Sequence, residues 1–432
     1  MSAGSDAPYA PQKRYHIIEK IIRKSMRLFP YAKPYILLLI GITVAAGVLT
    51  SGCMQNSGSV QEAGDAYRNP PPTAVASDLE SIVSAGVVSA GVPGTLIEIS
   101  TPEWTWNYAA GNASLSPAMP ATPEMRFIIA SVTKTFTSVA IQQLAEDGKL
   151  SLDDPIDRRL PAGVAEAVPE SDTITVRHLL DHTSGIADYD ENAIVLEEYM
   201  NPDTPIPYQE GMRQGLEAGP LYPPGTGYTY SNVNYILLTL IIDEAAGVPY
   251  EDYVTRNILV PAGMNDTFVH RINHIPGLHM RAQESEEDGT VMDFSDLYIQ
   301  FDRGAGDIVS TTADLNRFHR ALRSGALISP ASLAAMENTS PQSQKIGIVP
   351  GLGELSVGCG YGYFMQQNAS EGLTLYGHTG GYYGSYTILY YWAEKDTYIA
   401  MNSNSAAKAG VVNEEVLAPV LRYLREGTAA GQ

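Results

Sequence analysis

Cysteine is almost missing from this chain, with only Cys53 and Cys359 among 432 residues. That excludes a disulfide framework and a cysteine-rich zinc site. Positive charge is scarce as well. There are 27 lysines and arginines against 48 aspartates and glutamates, for a net charge of −21. Seven of the basic residues fall within positions 1–53, which leaves the remainder still more acidic. An acidic body lacks the basic surface that binding phosphates requires, so nucleic acid is excluded as a partner. The eight histidines show no metal-ligand spacing, and neither metal nor cofactor is expected. Internal repeats are absent. Long apolar runs are nearly so, the exception being "YILLLIGITVAAGVLT" from Tyr35 to Thr50.

That run follows Lys13, Arg14, Lys20, Arg23, Lys24, Arg27 and Lys33 and stops at "TSGC". A basic stretch, an apolar stretch and a small residue before cysteine make Cys53 a candidate lipidation site after cleavage, with Thr50 where leucine is usual. An uncleaved single-span anchor and free secretion are the alternatives. All three place the body outside the cytoplasm, consistent with the basic flank remaining inside. Positions 54–76 are polar and rich in glycine, serine and proline, and read as a flexible tether. The expected organisation is therefore an anchor at 1–53, a linker at 54–76 and one folded domain at 77–428. With 44% hydrophobic and 17% charged residues, the body has the composition of a globular domain.

Within that domain, Ser77 caps a predicted helix carrying Leu79, Ile82 and Val83. "GTLIEIS" and "WTWNYAAG" predict an antiparallel pair of strands. Helices are predicted over 131–147, 175–181 and 232–246, the first and third closed by Gly148 and Gly247. "LTLYGHT", "SYTILYYW" and "DTYIAMNS" predict strands, and "NEEVLAPVLRYLRE" a closing helix. Strands at both ends with helices between them predict an α+β fold. One antiparallel sheet is built from both chain ends and flanked by helices, and an all-helical region is inserted in the middle.

The chemistry is in "FIIASVTKTFTSVAIQQL". A serine hydroxyl needs a neutral amine or imidazole within reach before it can attack at neutral pH. Ser131 and Lys134 stand three apart at a helix start, about 5–6 Å apart at Cβ. Free N–H groups and the positive dipole end lie there too. The apolar approach from Phe127 to Ala130 lowers a buried lysine's pKa. Ser-x-x-Lys alone is weak evidence, because a second copy stands at Ser405 to Lys408. There is no Gly-x-Ser-x-Gly elbow, which argues against an α/β-hydrolase.

Two further stretches are selective between the copies. "PPGTGYTYSNVNYILL" holds Tyr230-Ser231-Asn232, and "LYGHTGGYYGSYTILYYW" holds His378-Thr379-Gly380. Ser-x-x-Lys, Tyr-x-Asn and His/Lys-Thr-Gly in this order resemble the serine β-lactamase and penicillin-binding-protein superfamily. With Tyr-x-Asn in the middle, the chain resembles its class C β-lactamase, D-alanyl-D-alanine carboxypeptidase and esterase branch. "LLDHTSGI", "PPGTGYTYSN" and "GAGDIVSTTADLNRF" extend the likeness over roughly residues 77–426.

The resemblance implies Ser131 as acylated nucleophile and Lys134 as its activating amine. It implies Tyr230 as the phenol that shuttles the proton, with a pKa lowered by Lys134. Asn232 would orient the substrate carbonyl, and Ser131 and Gly381 N–H groups would form the oxyanion hole beside Thr379 and Gly380. His378 stands where many relatives carry lysine, giving a positive or hydrogen-bonding group that weakens near neutral pH. Gly381 stands where some relatives carry serine or threonine, which loosens the grip on a substrate carboxylate.

The implied function is a surface-anchored serine hydrolase acting on amides or esters of D-amino-acid peptide, ester or β-lactam type. A carboxylesterase without peptidase role and a non-catalytic penicillin-binding-like sensor are the alternatives. Ordinary structural roles are expected elsewhere: His182 in a loop, Asp181 and Asp307 in turns or caps, and "ESEEDG" at 284–289 as a solvated loop. Residues 270–303 read as a lid or insertion near the site. "YYGSY" reads equally as strand packing or as an aromatic rim.

Overall fold

Side-chain alternation along β1 (Gly94–Ser100) divides the molecule into layers. Ile97 and Ile99 join the core formed with Leu79, Val83 and Val87 of the helix Thr73–Ala90 and Val420, Leu421 and Leu424 of the helix Ala418–Glu426. On the opposite face, Glu98 and Ser100 bond Asn316 and Arg320 of the helix Thr312–Arg323. With both faces covered, every residue of this strand is buried.

The computed structural model describes residues 69–285 and 290–427. Cys53, the apolar run and positions 54–68 of the proposed linker lie outside them. Among the described residues no helix is long and apolar enough to cross a membrane. The first helix begins at Thr73, earlier than a Ser77 cap would place it, and Pro72 precedes it. Proline suits such a boundary because it forgoes an N–H that a helix start leaves unpaired.

The remaining strands are β2 (Thr105–Leu115), β3 (Ala118–Pro120), β4 (Phe127–Ile128), β5 (Phe268–Val269), β6 (Gln283–Ser285), β7 (Val291–Asp293) and β8 (Ile308–Ser310). After them come β9 (Lys345–Val349), β10 (Gly353–Cys359), β11 (Phe364–Asn368), β12 (Leu373–Tyr382), β13 (Ser385–Trp392) and β14 (Thr397–Ser403). The main sheet has nine strands in the order β3-β2-β1-β14-β13-β12-β11-β10-β9. Its pairings are antiparallel, and β1 pairs with β14, so the first and last strands of the described residues lie side by side within it. The expected α+β architecture is therefore the observed one. The inserted region is helical apart from two small sheets, β4-β8-β5 and β6-β7.

β11 meets β12 only as far as the pair Phe364↔Gly377. From His378 onward, the edge of β12 opposite β13 is left without a strand partner, and Gly380 of this stretch packs against Ile129 and Ser131. The sheet thus presents the end of one strand to Ser131. Ile399 of β14 is fully buried in the terminal-helix core, two strands away from β12. Ile399→Ala should cost about 2–5 kcal/mol of unfolding free energy, read from urea denaturation. A loss under 1 kcal/mol would show that this core is not packed as described.

Candidate active site

A sharp backbone turn delivers Ser131. Ala130 has φ of 47°, a conformation that costs a residue with a side chain about 1 kcal/mol or more. It opens the short 3-10 turn Ala130–Val132, which runs straight into the helix Thr133–Glu146. Gly380 of β12 closes over this turn. A Cβ at Gly380 would lie 2.0 Å from the Ile129 carbonyl oxygen and 3.0 Å from the Ser131 nitrogen. Only glycine permits that approach, which accounts for the third residue of His-Thr-Gly.

Lys134 is fully buried. Its Nζ lies 3.1 Å from Ser131 Oγ, 2.7 Å from Asn232 Oδ1 and 2.8 Å from the Ala305 carbonyl oxygen. The last two atoms can only accept, so they take two N–H bonds from the amine. In the neutral amine this turns the lone pair toward the Ser131 hydroxyl, the geometry a general base needs. Burial lowers the lysine pKa, while the carboxylates of Asp302, Asp188 and Glu191 oppose that shift. Asn232, the first residue of the fully buried helix face Asn232–Ile242, is fixed by the lysine through its oxygen, so its Nδ2 remains the donor. Its own N–H donates to Asp188 Oδ1 at 2.9 Å.

Tyr230 is seated beside this pair, with Lys134 Nζ 4.9 Å from its ring centroid. His182 stacks on the ring at 4.3 Å. The expected lowering of the Tyr230 pKa is not found. Burial pushes the phenol well up, and proximity to Ser131 only partly offsets it. The hydroxyl is therefore protonated in the resting site, and it makes no regular hydrogen bond there. His378 also departs from expectation. Burial first, and Lys134 second, push it down to about 3, so the imidazole is neutral at physiological pH. Its Nδ1 donates to the Thr379 carbonyl, which leaves Nε2 as a buried acceptor without a partner. No cation stands at that position to hold a carboxylate. Gly381 has open space around its missing side chain.

The structure brings Ser131, Lys134, Tyr230, Asn232, His378, Thr379, Gly380 and Gly381 to one place. The second Ser-x-x-Lys is elsewhere in its bonding: Ser405 contacts Glu284, and Lys408 donates to the Gly91 carbonyl. Asp181 is a turn residue as expected, accepting from Thr183. Asp307 closes a turn with Gly304 and also pairs with Arg271 at 2.9 Å. His182 is more than a loop residue. Its φ is 61°, its Nδ1 accepts from the Ser231 N–H at 3.2 Å, and its ring is the seat of Tyr230.

The largest addition to the site is a group of acids. Asp188 is raised by burial to about 6. Burial also raises Asp302, whose Oδ1 accepts from Tyr189 Oη at 2.6 Å, and Glu191 at the start of the helix Glu191–Met200. Only the quoted stretches "DHTSGI" and "GAGDIVS" hinted at the neighbourhood, since a buried aspartate has no sequence pattern of its own. Among the described residues no cluster suited to a metal ion exists.

The Beta-lactamase family profile matches residues 79–421. The chain belongs to this family, and with it to the serine β-lactamase and penicillin-binding-protein superfamily of serine hydrolases. It is 30% identical over 320 residues to penicillin-binding protein 4* of Bacillus subtilis, covering 68% of this chain and 64% of that protein. It is 32% identical over 251 residues to the putative penicillin-binding protein PbpX of the same organism, covering 57% and 59%. The chain thus spans just under two thirds of those relatives. Among solved structures it resembles D-amino acid amidase from Ochrobactrum anthropi complexed with D-phenylalanine. That match has a TM-score of 0.71 and 26% identity, and covers 82% of this chain and 99% of the other. A D-stereospecific amidohydrolase from Streptomyces matches with a TM-score of 0.67 and 27% identity over 80% and 98%.

A carboxyl whose pKa is raised on folding contributes stability at low pH and loses it as pH rises through the folded value. For Asp188 that window runs from about 4, the ordinary value, to about 6. Asp188→Asn keeps an acceptor for the Asn232 N–H and removes the charge. The melting temperature should rise at pH 8 and change little at pH 4. An equal shift at both values would mean that charge burial is not the cause.

Proposed function

We propose that this protein hydrolyses amide or ester bonds of small D-aminoacyl or peptide-like substrates through an acyl-enzyme on Ser131. The observation that carries the reading is the seating of Lys134, whose two acceptors direct its lone pair at the serine. The Ser131 proton passes to Lys134 Nζ as Oγ attacks the carbonyl carbon. The oxyanion forms against the N–H groups of Ser131 and Gly381. Tyr230, a protonated phenol, donates to the leaving nitrogen or oxygen as the bond breaks, and is made good by the proton held on Lys134. Water then enters by the reverse path and releases the acid. Asn232 Nδ2 orients the acyl part of the substrate.

Charge in the cleft favours one substrate class. His378 is neutral and Gly381 carries no hydroxyl, so little holds a carboxylate next to the leaving group. Of the acids, Asp188 with a pKa of about 6 is ionised at neutral pH, while burial holds Glu191 near 8 largely protonated; the remaining negative charge opposes anions and suits a substrate with a free amino group. Both features support aminoacyl amides over β-lactams, in keeping with the D-amino acid amidase and amidohydrolase among its structural neighbours. Esters without a carboxylate are the second reading, favoured by the open space at Gly381.

Ammonia release from D-phenylalanine amide should exceed release from its L-isomer and from the N-acetylated form. Ser131→Ala should abolish it. Lys134→Arg should lower it about 10²–10⁴-fold, because a guanidinium cannot become a base. Ser405→Ala should leave it intact. Turnover that survives Ser131→Ala would sink the reading.

We also propose that the domain is held outside the cytoplasm, anchored to the membrane through lipid on Cys53 after cleavage. Cys53→Ser should then move the full-length chain from the membrane fraction to the soluble one. Retention in the membrane would favour an uncleaved span.

A further inference from the structure

The run at 284–289 begins with a residue that solvent does not hold. Glu284 Oε1 accepts from the N–H groups of Gly384 at 3.1 Å, Ala406 at 3.1 Å and Ala407 at 3.2 Å. Its Oε2 contacts Ser405 Oγ at 3.4 Å. The expectation of a solvated loop is thus wrong for Glu284, while 286–289 lie outside the described residues. One carboxylate joins three segments remote in sequence: the β6-β7 hairpin, the turn between β12 and β13, and the loop after β14.

Other contacts clamp the same turn. Gly384 has φ of 67°, and a Cβ there would lie 2.2 Å from the Gln283 nitrogen, so the turn rests on the hairpin backbone. Phe294 lies 4.8 Å from the Tyr383 ring, and Tyr383 Oη donates to Asn192 on the helix Glu191–Met200. The hairpin itself is tied down. The Leu115 N–H donates to Gln283 Oε1 at 2.8 Å, and the Arg281 N–H to the Ala113 carbonyl at 2.8 Å.

This turn is where β12 ends. Gly381 stands one pair before the closing pair Tyr382↔Ser385, on the edge that lacks a strand partner. Its N–H is the oxyanion donor in the acyl-enzyme reading, on which this inference rests. A donor of that kind acts only when held in place before the reaction, and misplacement by about 1 Å costs about 10²-fold. No strand beyond β12 fixes it, so its position rests on the pairing with β13, on the close approach at Gly380 and on the turn that joins the two strands.

We propose that Glu284 is a positioning residue for the oxyanion hole, holding the β12-β13 turn so that Gly381 N–H stays directed at the tetrahedral intermediate. Three backbone donors converge on one charged acceptor, which makes the attachment stronger than neutral turn bonds. The part of residues 270–303 that carries β6 and β7 thereby serves as a brace for the site.

The test uses the full chain, with active sites counted by acylation and rates taken well below the melting temperature. Glu284→Ala should lower kcat about 10- to 100-fold on a chromogenic ester with KM changed less than threefold. Affinity for a substrate-like boronic acid, which forms a tetrahedral adduct on Ser131, should fall by a similar factor. Glu284→Gln retains one acceptor oxygen and should recover most of kcat, which also serves should the alanine variant fail to fold. A lowered melting temperature with unchanged kcat per active site, or a rise confined to KM, would overturn the proposal and leave Glu284 a structural clamp. If the wild type forms neither acyl nor boronate adduct, the acyl-enzyme reading itself falls, and this inference with it.

Discussion

A lysine with no solvent contact is the constraint around which this molecule is arranged. Lys134 cannot be left in the interior with unpaired N–H bonds, because each would cost about 1–3 kcal/mol or more. The fold therefore has to bring oxygen acceptors to it from distant parts of the chain. Asn232 comes from the helix that follows Tyr230, and Ala305 from the loop before β8. Ser131 is the remaining neighbour. Satisfying the amine thus assembles three chain segments around Ser131. The same burial that demands these partners also favours the neutral form that can take the serine proton.

The acids around the amine make this balance conditional. Asp302, Asp188 and Glu191 each favour a charged Lys134, and burial disfavours their own ionisation. Glu191 and Asp302 share charge and protons closely, so neither has a protonation state independent of the other. Tyr230 and His378 stand apart from this group because burial holds both neutral. A neutral phenol can pass its proton on only as it receives another, and an imidazole held down to about 3 serves as a hydrogen-bond acceptor and not as a base. Charge on the acid side is thus partial and varies with pH near neutrality, whereas His378 on β12 stays uncharged.

Much of this was legible in the sequence. The helix over 232–246 is observed as Asn232–Ala246, closed by Gly247 with φ of 68°, because apolar periodicity and a glycine stop are local signals. Strands β12 to β14 were legible for the same reason. Strands β9, β10 and β11 were missed. β9 reads "KIGIV" with Ile346 and Ile348 exposed at the sheet edge, and β11 reads "FMQQN", half-buried and without alternation. Ser131, Lys134, Tyr230 and Asn232 were found by motif order. The lowered phenol pKa was not found, since a positive neighbour is visible in sequence while the depth of burial that outweighs it is not.

His182 and Glu284 show why the remainder was hidden. Each acts through backbone groups, His182 through the Ser231 N–H and Glu284 through those of Gly384, Ala406 and Ala407. Backbone donors are identical at every position except proline, so the partner of such a side chain carries no compositional mark. "DHTSGI" read as a loop and "ESEEDG" as a charged run because their chemistry lies in what they touch across more than forty residues of chain. The catalytic atoms are specified by residue type and spacing. The rigidity that makes them effective is specified by close approaches at Gly380 and Gly384, where a missing Cβ is the only sequence trace.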